Sequence, residues 1–175
     1  LLEDDFGDAL FEHYATSELW RVSALGEVAS ASEKIGDAAM YNWAASSPDG
    51  NFLMIKKTLA PFSRVVPAYF FAFSLEIWTR DGEHVRTITE QPVADAIPIQ
   101  GVRTGPRRPG WQPLEDATMY WVECLDGGDP NVKVEHREQM FALRAPFDGE
   151  PEMIARIEER YSGATWFDRK GLAMI

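Results

Sequence analysis

Turn signals at short intervals constrain the fold of this chain more than any other feature. Six of them divide the sequence, and three contain Asp-Gly, which supplies the positive φ of tight hairpin turns. They are Leu25-Gly26-Glu27, Ser47-Pro48-Asp49-Gly50, Arg80-Asp81-Gly82, Pro113-Leu114-Glu115-Asp116, Phe147-Asp148-Gly149 and Asp168-Arg169-Lys170-Gly171. This spacing predicts six β-hairpins and an all-β protein with a meander topology.

The segments between these turns alternate with a period of two. Residues 71–78 place Phe71, Phe73, Leu75 and Ile77 on one side, and residues 52–57, 85–89 and 119–124 behave similarly. β-branched and aromatic residues dominate these segments, and such residues suit a pleated, half-buried surface. We therefore expect strands there with one face toward a core.

Two segments have spacings that a helix could adopt. Phe6, Ala9 and Leu10 lie at helical intervals, which predicts a short helix from Asp5 to Tyr14. The segment 151–160 could begin a helix with Pro151 in its first turn. We favour a strand there, because the segment mirrors the second arm of the Asp81-Gly82 hairpin.

The hairpins are of two kinds that alternate along the chain, which is an internal repeat. In the first kind, a Trp precedes the turn and an apolar strand follows it; the examples begin at Trp43, Trp111 and Trp166. In the second kind, a strand with a bulky residue precedes the turn and a polar strand follows it. Its three examples begin at Glu18-Leu19-Trp20, Glu76-Ile77-Trp78 and Gln139-Met140-Phe141.

A four-stranded unit that recurs at such intervals is typical of a β-propeller. The repeat predicts one domain over 1–175, with a half blade at 19–32, blades at 39–90 and 102–158, and a half blade at 161–175. A closed propeller needs at least four blades. Because the sequence also starts at Leu1 and stops at Ile175 within an apolar run, we expect an incomplete arc of a larger propeller.

Charge and composition exclude several classes of protein. Lys and Arg number 17 against 28 Asp and Glu, a net charge of −11, which argues against nucleic acid or an anionic membrane surface as a partner. A hydrophobic share of 45% is sufficient for a packed core. The apolar runs are also shorter than the roughly 20 residues of a membrane helix.

Motifs for catalysis or cofactor binding are lacking in the sequence. It has no Gly-x-Ser-x-Gly, no phosphate loop and no Gly-x-Gly-x-x-Gly, and we interpret the dispersed His13, His84 and His136 as surface or packing residues. A single cysteine excludes an internal disulfide framework and a Cys-based zinc site. We therefore predict no catalytic residue, metal or cofactor within this chain.

Two features of the segment 124–131 are candidates for chemistry. The segment 125–131 is acidic and glycine-rich, but Glu135 and Glu138 do not fit the position of the bidentate Glu in a calcium loop. We interpret the segment as a long hairpin loop shaped by its glycines. Cys124 lies on an apolar strand and is interpreted as a small core residue rather than a reactive thiol.

Arg103, Arg107 and Arg108 form the only basic cluster of an acidic sequence. Arginine binds carboxylates through two parallel hydrogen bonds, and this cluster lies in a segment that we interpret as an inserted loop. Arg103 or Arg107 is therefore a candidate for binding an acidic substrate side chain or another domain. Charge balance against nearby acidic residues is the alternative.

Several motifs together resemble a known family. They are Leu10-Phe11-Glu12-His13-Tyr14-Ala15-Thr16-Ser17-Glu18-Leu19, Ser47-Pro48-Asp49-Gly50-Asn51-Phe52-Leu53, Pro61-Phe62-Ser63-Arg64-Val65-Val66-Pro67, Val102-Arg103-Thr104-Gly105-Pro106-Arg107, Tyr120-Trp121-Val122-Glu123 with Asp126-Gly127-Gly128-Asp129, and Tyr161-Ser162-Gly163-Ala164-Thr165-Trp166. The chain resembles the N-terminal propeller region of glutamyl-endopeptidase-like serine peptidases in the prolyl oligopeptidase family. Cys124-Leu125 and Glu135-His136 depart from the family pattern.

The resemblance implies a propeller that covers an α/β-hydrolase domain, which would hold the Ser-Asp-His triad outside this sequence. The implied partners are that hydrolase domain and a peptide substrate cleaved after Glu, and the implied role of the propeller is to restrict access. A non-enzymatic propeller that serves as a protein-interaction platform is the alternative. Since edge strands pair with other chains, we also expect the isolated chain to self-associate.

Overall fold

The computed structural model describes residues 2–23, 32–167 and 173–175. These residues form one α-helix, α1 (Asp5–Ala15), a 3₁₀ turn (Ala68–Phe70) and short strands. The strands are β1 (Ser17–Arg21), β2 (Glu33–Ala39), β3 (Tyr41–Ser46), β4 (Phe52–Thr58), β5 (Phe73–Thr79), β6 (His84–Gln91), β7 (Arg107–Trp111), β8 (Thr118–Cys124), β9 (Glu138–Arg144), β10 (Glu152–Ile157), β11 (Thr165–Trp166) and β12 (Ala173–Met174). The all-β prediction is confirmed.

The strands form two four-stranded sheets and two two-stranded pairs. The sheets have the orders β3-β4-β5-β6 and β7-β8-β9-β10, and the pairs are β1-β2 and β11-β12. The registered pairs are antiparallel, and every neighbour in a sheet is also a neighbour in the chain. The meander topology is therefore confirmed.

No helix in the part of the chain described here has the length and apolarity needed to cross a membrane.

Both helical-spacing predictions are resolved by the structure. The predicted helix at Asp5 to Tyr14 is α1, capped by the Asp4 side chain, which accepts a 2.7 Å hydrogen bond from the backbone N–H of Gly7. The segment after Pro151 is strand β10, paired with β9, as the hairpin symmetry predicts. The turns predicted at 25–27 and 168–171 lie outside the described residues.

One strand is more deeply buried than the alternating pattern indicated. Phe73 through Trp78 are all buried, so β5 is covered on both faces rather than half-buried. Ile35 of β2 packs on Trp78 and so contributes to covering the second face. Fully buried strands usually lack polar alternation, but β5 keeps the buried polar residues Ser74 and Glu76.

The chain divides into two compact units. The first comprises Leu1–Ala45 and Leu53–Asp95. Its core contains Ile35, Ile55 and Trp78, and Phe11 of α1 contacts Phe62 and Phe71 with ring centroids 4.9 and 5.6 Å away. These aromatic contacts join α1 to the segment between β4 and β5.

The second unit comprises Ser46–Phe52 and Ala96–Ile175. One cluster in its core contains Val122, Met140 and Tyr161, and elsewhere Phe147 contacts the rings of Phe52 and Trp111 at 5.0 and 6.1 Å. Within this unit, the backbone N–H of Asp49 donates to the carbonyl of Asp116 at 3.0 Å. The turn after β3 is thereby fixed to the turn before β8.

The turn between β9 and β10 differs from the prediction. We expected Gly149 of Asp148-Gly149 to supply the positive φ, but Phe147 has it, at 68°. The ring contacts of Phe147 and the hydrogen bond from its N–H to the carbonyl of Arg144 at 2.9 Å hold this conformation. The burial of an aromatic side chain therefore determines the turn.

Candidate functional site

A buried ion-pair network in the second unit is the most densely bonded polar site in the part of the chain described here. Its first carboxylate is Asp126, in the loop between β8 and β9, with a side chain that is 0% exposed. Asp126 accepts hydrogen bonds from Arg160 at 2.5 Å, Arg137 at 2.9 Å and the Gly128 N–H at 3.0 Å. The contact with Arg160 ties the loop to a residue outside it, whereas those with Arg137 and Gly128 lie within the loop.

Glu138, the first residue of β9, is the second carboxylate, and its side chain is also 0% exposed. It accepts hydrogen bonds from the Arg107 side chain, from Nη1 of Arg160 at 3.3 Å and from the Tyr161 backbone N–H at 2.7 Å. Arg160 therefore bridges both carboxylates. The network connects β7, β9 and the segment that leads to β11.

The electrostatics of the network favour a charged Asp126 carboxylate. Burial raises the pKa of Asp126, but the hydrogen bonds from Arg160, Gly128 and Arg137 outweigh burial and hold that pKa below its ordinary value. Burial, with repulsion from Arg160, lowers the pKa of Arg107, although a guanidinium keeps its proton in proteins. Removing one partner from such a network leaves an uncompensated buried charge.

The carboxylates of the acidic loop that could ligate a cation already accept hydrogen bonds from neighbouring residues. The carboxylate of Asp126 is bonded to arginines, and Asp129 bonds the backbone and side chain of Asn131 at 2.9 and 3.0 Å. Among the described residues, no group of three or more His, Cys, Asp and Glu side chains could hold a metal ion. The loop is shaped by arginine contacts and by its two glycines.

Cys124 lies beside this network, at the end of β8. Burial and the neighbouring Asp126 raise the pKa of its thiol. A thiol of raised pKa is a poor nucleophile at neutral pH, since the thiolate is the reactive form. This supports the interpretation of Cys124 as a packing residue.

The three arginines of the basic cluster in the sequence differ in their surroundings. Arg107 is the first residue of strand β7, not part of a loop, and it pairs with Val122 of β8. Its side chain is 14% exposed and bonds Glu138, whereas Arg108 is exposed and has a φ of 52° at an irregularity in the strand register. The charge-balance alternative thus describes Arg107.

Arg103 lies in the segment before β7, where burial lowers the pKa of its guanidinium. That segment packs on the acidic loop, since the Val102 N–H donates to the Gly128 carbonyl at 2.9 Å. Arg103 is therefore close in the chain to Arg107, which belongs to the network. The binding roles of Arg103 and Arg107 stay predictions.

An acidic groove in the same unit was not predicted from the sequence. It has a volume of about 600 Å³ and is lined by Asp49, Leu114, Glu115, Asp116, Ala117, Thr118, Arg144 and Ala145. The two turns that form it were each predicted, but their contact was not. A signal was present, since both turns carry Asp residues.

Comparison with known proteins finds two relatives that are similar to this chain over nearly all of its residues. The chain is 40% identical over 179 residues to the probable chloroplastic glutamyl endopeptidase of Oryza sativa subsp. japonica, with 100% of this chain and 19% of that protein covered. It is 35% identical over 172 residues to the protein of the same name from Arabidopsis thaliana, with 96% and 17% covered. The chain thus spans about a fifth of the length of these relatives.

No family model matches the chain, and no solved structure matches it. The similarity therefore relates this chain to a part of proteins that carry a peptidase name. It covers the ion-pair network and both sheets, because it runs over the whole chain.

Proposed function

We propose that this chain is a segment of the β-propeller of a serine endopeptidase of the prolyl oligopeptidase family, which cleaves peptides after Glu. The observation that carries the proposal is the similarity over the whole chain to two relatives named glutamyl endopeptidase, at 40% and 35% identity. The catalytic α/β-hydrolase domain would be elsewhere in the polypeptide. The segment itself is then non-catalytic.

The sheet order supports the propeller part of this proposal. In our assignment the sheets β3–β6 and β7–β10 belong to the blades 39–90 and 102–158, and the β11-β12 pair belongs to the half blade 161–175. Of the β1-β2 pair, β1 overlaps the half blade 19–32, whereas β2 begins at Glu33, just after it. Consecutive four-stranded meanders are the building unit of propellers. Together they would form one partial propeller domain over 1–175.

The role that we assign to the segment is access control. It needs stable loops and surface charge more than reactive groups, and the buried Asp126 and Glu138 give the loop at 126–137 fixed partners. Arg103 or Arg107 is proposed to help bind an acidic substrate side chain or the hydrolase domain. For Arg107 the effect would pass through Glu138, since that carboxylate occupies its guanidinium.

The intact polypeptide that contains this chain tests the proposed activity. We expect it to cleave a peptide after Glu faster than the matched peptide with Gln at that position, and to lose activity with a serine-directed phosphonate. The 175-residue chain alone should cleave neither peptide. An intact polypeptide that neither cleaves the Glu peptide nor reacts with the phosphonate would favour the interaction-platform alternative.

Single variants of that polypeptide test the arginines. Arg103→Ala or Arg107→Ala should weaken the preference for Glu over Gln or the docking of the two domains, with Arg86→Ala on β6 as the control. If both variants keep both properties, the contact role is wrong, whatever the outcome for the activity itself.

The isolated chain should also self-associate. Strands at the margins of the sheets offer unpaired backbone groups, and Met174 and Ile175 near the β11-β12 pair are 62% and 49% exposed. Sedimentation velocity over a range of concentrations checks this. A monomer at every concentration would contradict it.

A further inference from the structure

The first unit contains a three-residue contact on strand β5. The indole Nε1 of Trp78 donates to Glu76 at 2.8 Å, and Lys57 of β4 forms an ion pair with the same carboxylate at 2.8 Å. The ammonium of Lys57 also lies 5.2 Å from the centre of the Trp78 ring. Burial raises the pKa of Glu76, but Lys57, Ser74 and Trp78 outweigh it and the pKa lies below its ordinary value.

The same contact recurs on strand β1. The indole Nε1 of Trp20 donates to Glu18 at 3.1 Å, and Lys34 of β2 pairs with that carboxylate at 2.7 Å. The Glu again stands two residues before the Trp. The Trp-to-Glu hydrogen bond therefore repeats with the sequence, whereas the lysine comes from the strand before the Trp in one copy (Lys57 of β4) and from the strand after it in the other (Lys34 of β2).

The two copies differ in what covers the indole. Trp78 is 7% exposed, whereas Trp20 is 49% exposed. The cover of Trp78 comes from the neighbouring pair: a Cβ added at Gly36 of β2 would lie 2.8 Å from Cη2 of Trp78. Ile35 of β2 and Tyr41 of β3 complete the cluster around that ring.

This covering contact is fixed at a second point. Nη1 of Arg21, the last residue of β1, donates to the Arg80 carbonyl at 3.2 Å and to Asp81 at 2.7 Å. A Cβ added at Gly82 of the same turn would meet Ile35 at 2.9 Å. The β1-β2 pair thus lies on the β3–β6 sheet through an outer-strand glycine, an adjacent isoleucine and an arginine.

We infer that the Trp20 face of the β1-β2 pair is a docking surface for the outer strand of another antiparallel sheet, which places a glycine against the indole. The inference rests on the proposed function, in which further sheets belong to the same polypeptide. An outer strand with a glycine is the expected occupant, because Gly36 of β2 lies against the equivalent indole, that of Trp78. A small residue is required there, since the ring of Trp78 leaves no room for a Cβ at Gly36.

Oxidative footprinting, read residue by residue by mass spectrometry, tests the docking surface. In the 175-residue chain, at a concentration where it sediments as a monomer, Trp20 should be oxidised about sevenfold faster than Trp78, the ratio of their exposed fractions of 49% and 7%. In the intact polypeptide this difference should disappear, because Trp20 is covered. Persistence of the sevenfold difference would overturn the inference.

A comparison of melting temperatures tests the same contact independently. Trp20→Ala should lower the melting temperature of the intact polypeptide by several degrees more than that of the 175-residue chain. Tyr14→Ala, which truncates an aromatic side chain that is 78% exposed on α1, is the control for general effects of truncation. Equal losses from Trp20→Ala in both proteins would overturn the inference.

The peptidase assay on the same sample separates the two proposals. A protected Trp20 in a polypeptide without peptidase activity would keep the docking surface and overturn the proposed activity. An active peptidase with an exposed Trp20 would overturn the docking surface alone. An intact polypeptide with no residues beyond this chain would overturn both.

Discussion

Gly36 and Trp78 are in direct van der Waals contact, with the indole ring in the space that a Cβ at position 36 would fill. Gly36 also has a φ of 68°, a conformation that other residues rarely adopt. Gly36→Ala should therefore lower the free energy of unfolding through both strain and overpacking, by about 2–4 kcal/mol. Urea unfolding measures this loss.

Two variants identify the cause of that loss. Gly50 has a similar φ of 72°, and a Cβ added there would meet no atom within 4 Å. Gly50→Ala should therefore lower the free energy of unfolding through backbone strain alone, by about 1 kcal/mol. Trp78→Leu should make Gly36→Ala less costly in the double variant than in the single one. Equal costs for Gly36→Ala and Gly50→Ala would mean that the indole contact does not limit this position.

Asp126→Asn tests the buried network. The variant leaves the guanidiniums of Arg137 and Arg160 without their shared carboxylate, so it should lower the free energy of unfolding by about 3–5 kcal/mol. Asp129→Asn is the matched control, because Asp129 lies in the same loop and its carboxylate accepts hydrogen bonds from Asn131 rather than from an arginine of the network. Similar losses from both variants would show that the loop, rather than the network, determines stability.

The free energy of unfolding should decrease as the pH falls. Asp126 and Glu76 both have a pKa lower in the folded chain than its ordinary value, which for an unfolded Asp or Glu is about 4. The unfolded chain therefore binds more protons, and the contribution is present above about pH 4 and is lost as the pH falls through the folded pKa values. Urea midpoints between neutral and acidic pH measure it, and Asp126→Asn or Glu76→Gln should flatten the dependence. An unchanged slope in both variants would contradict this assignment.

The local elements of the fold were predictable because their causes lie close together in the chain. The helix from Asp5 has its cap at Asp4, and the hairpins of β5-β6 and β9-β10 have their turn residues between the paired strands. Strand β10 was predicted from symmetry between hairpins rather than from its own composition. Such signals need no knowledge of distant contacts.

The site was not predictable in the same way, because its partners are far apart in sequence. Glu138 meets Arg107 from 31 positions away and Asp126 meets Arg160 from 34 positions away. Burial on both faces of β5 and the positive φ of Phe147 likewise depend on packing from elsewhere in the chain. The basic sequence cluster indicated Arg107 as a candidate residue, but nothing near it in the sequence indicated its partner Glu138.

The neighbouring glycines of the acidic loop allow one further test of how that loop is held. Gly127 and Gly128 both have positive φ, 65° and 82°, so a substitution strains the backbone at either position. Only Gly128 has a neighbour in the way, since an added Cβ would overlap the carbonyl oxygen of Val102. Gly128→Ala should therefore lower the free energy of unfolding by clearly more than the roughly 1 kcal/mol expected for Gly127→Ala. Hydrogen exchange at the Val102 amide, which donates to the Gly128 carbonyl at 2.9 Å, should quicken in Gly128→Ala and not in Gly127→Ala. Equal exchange in the two variants would mean that the segment before β7 is not held by this contact.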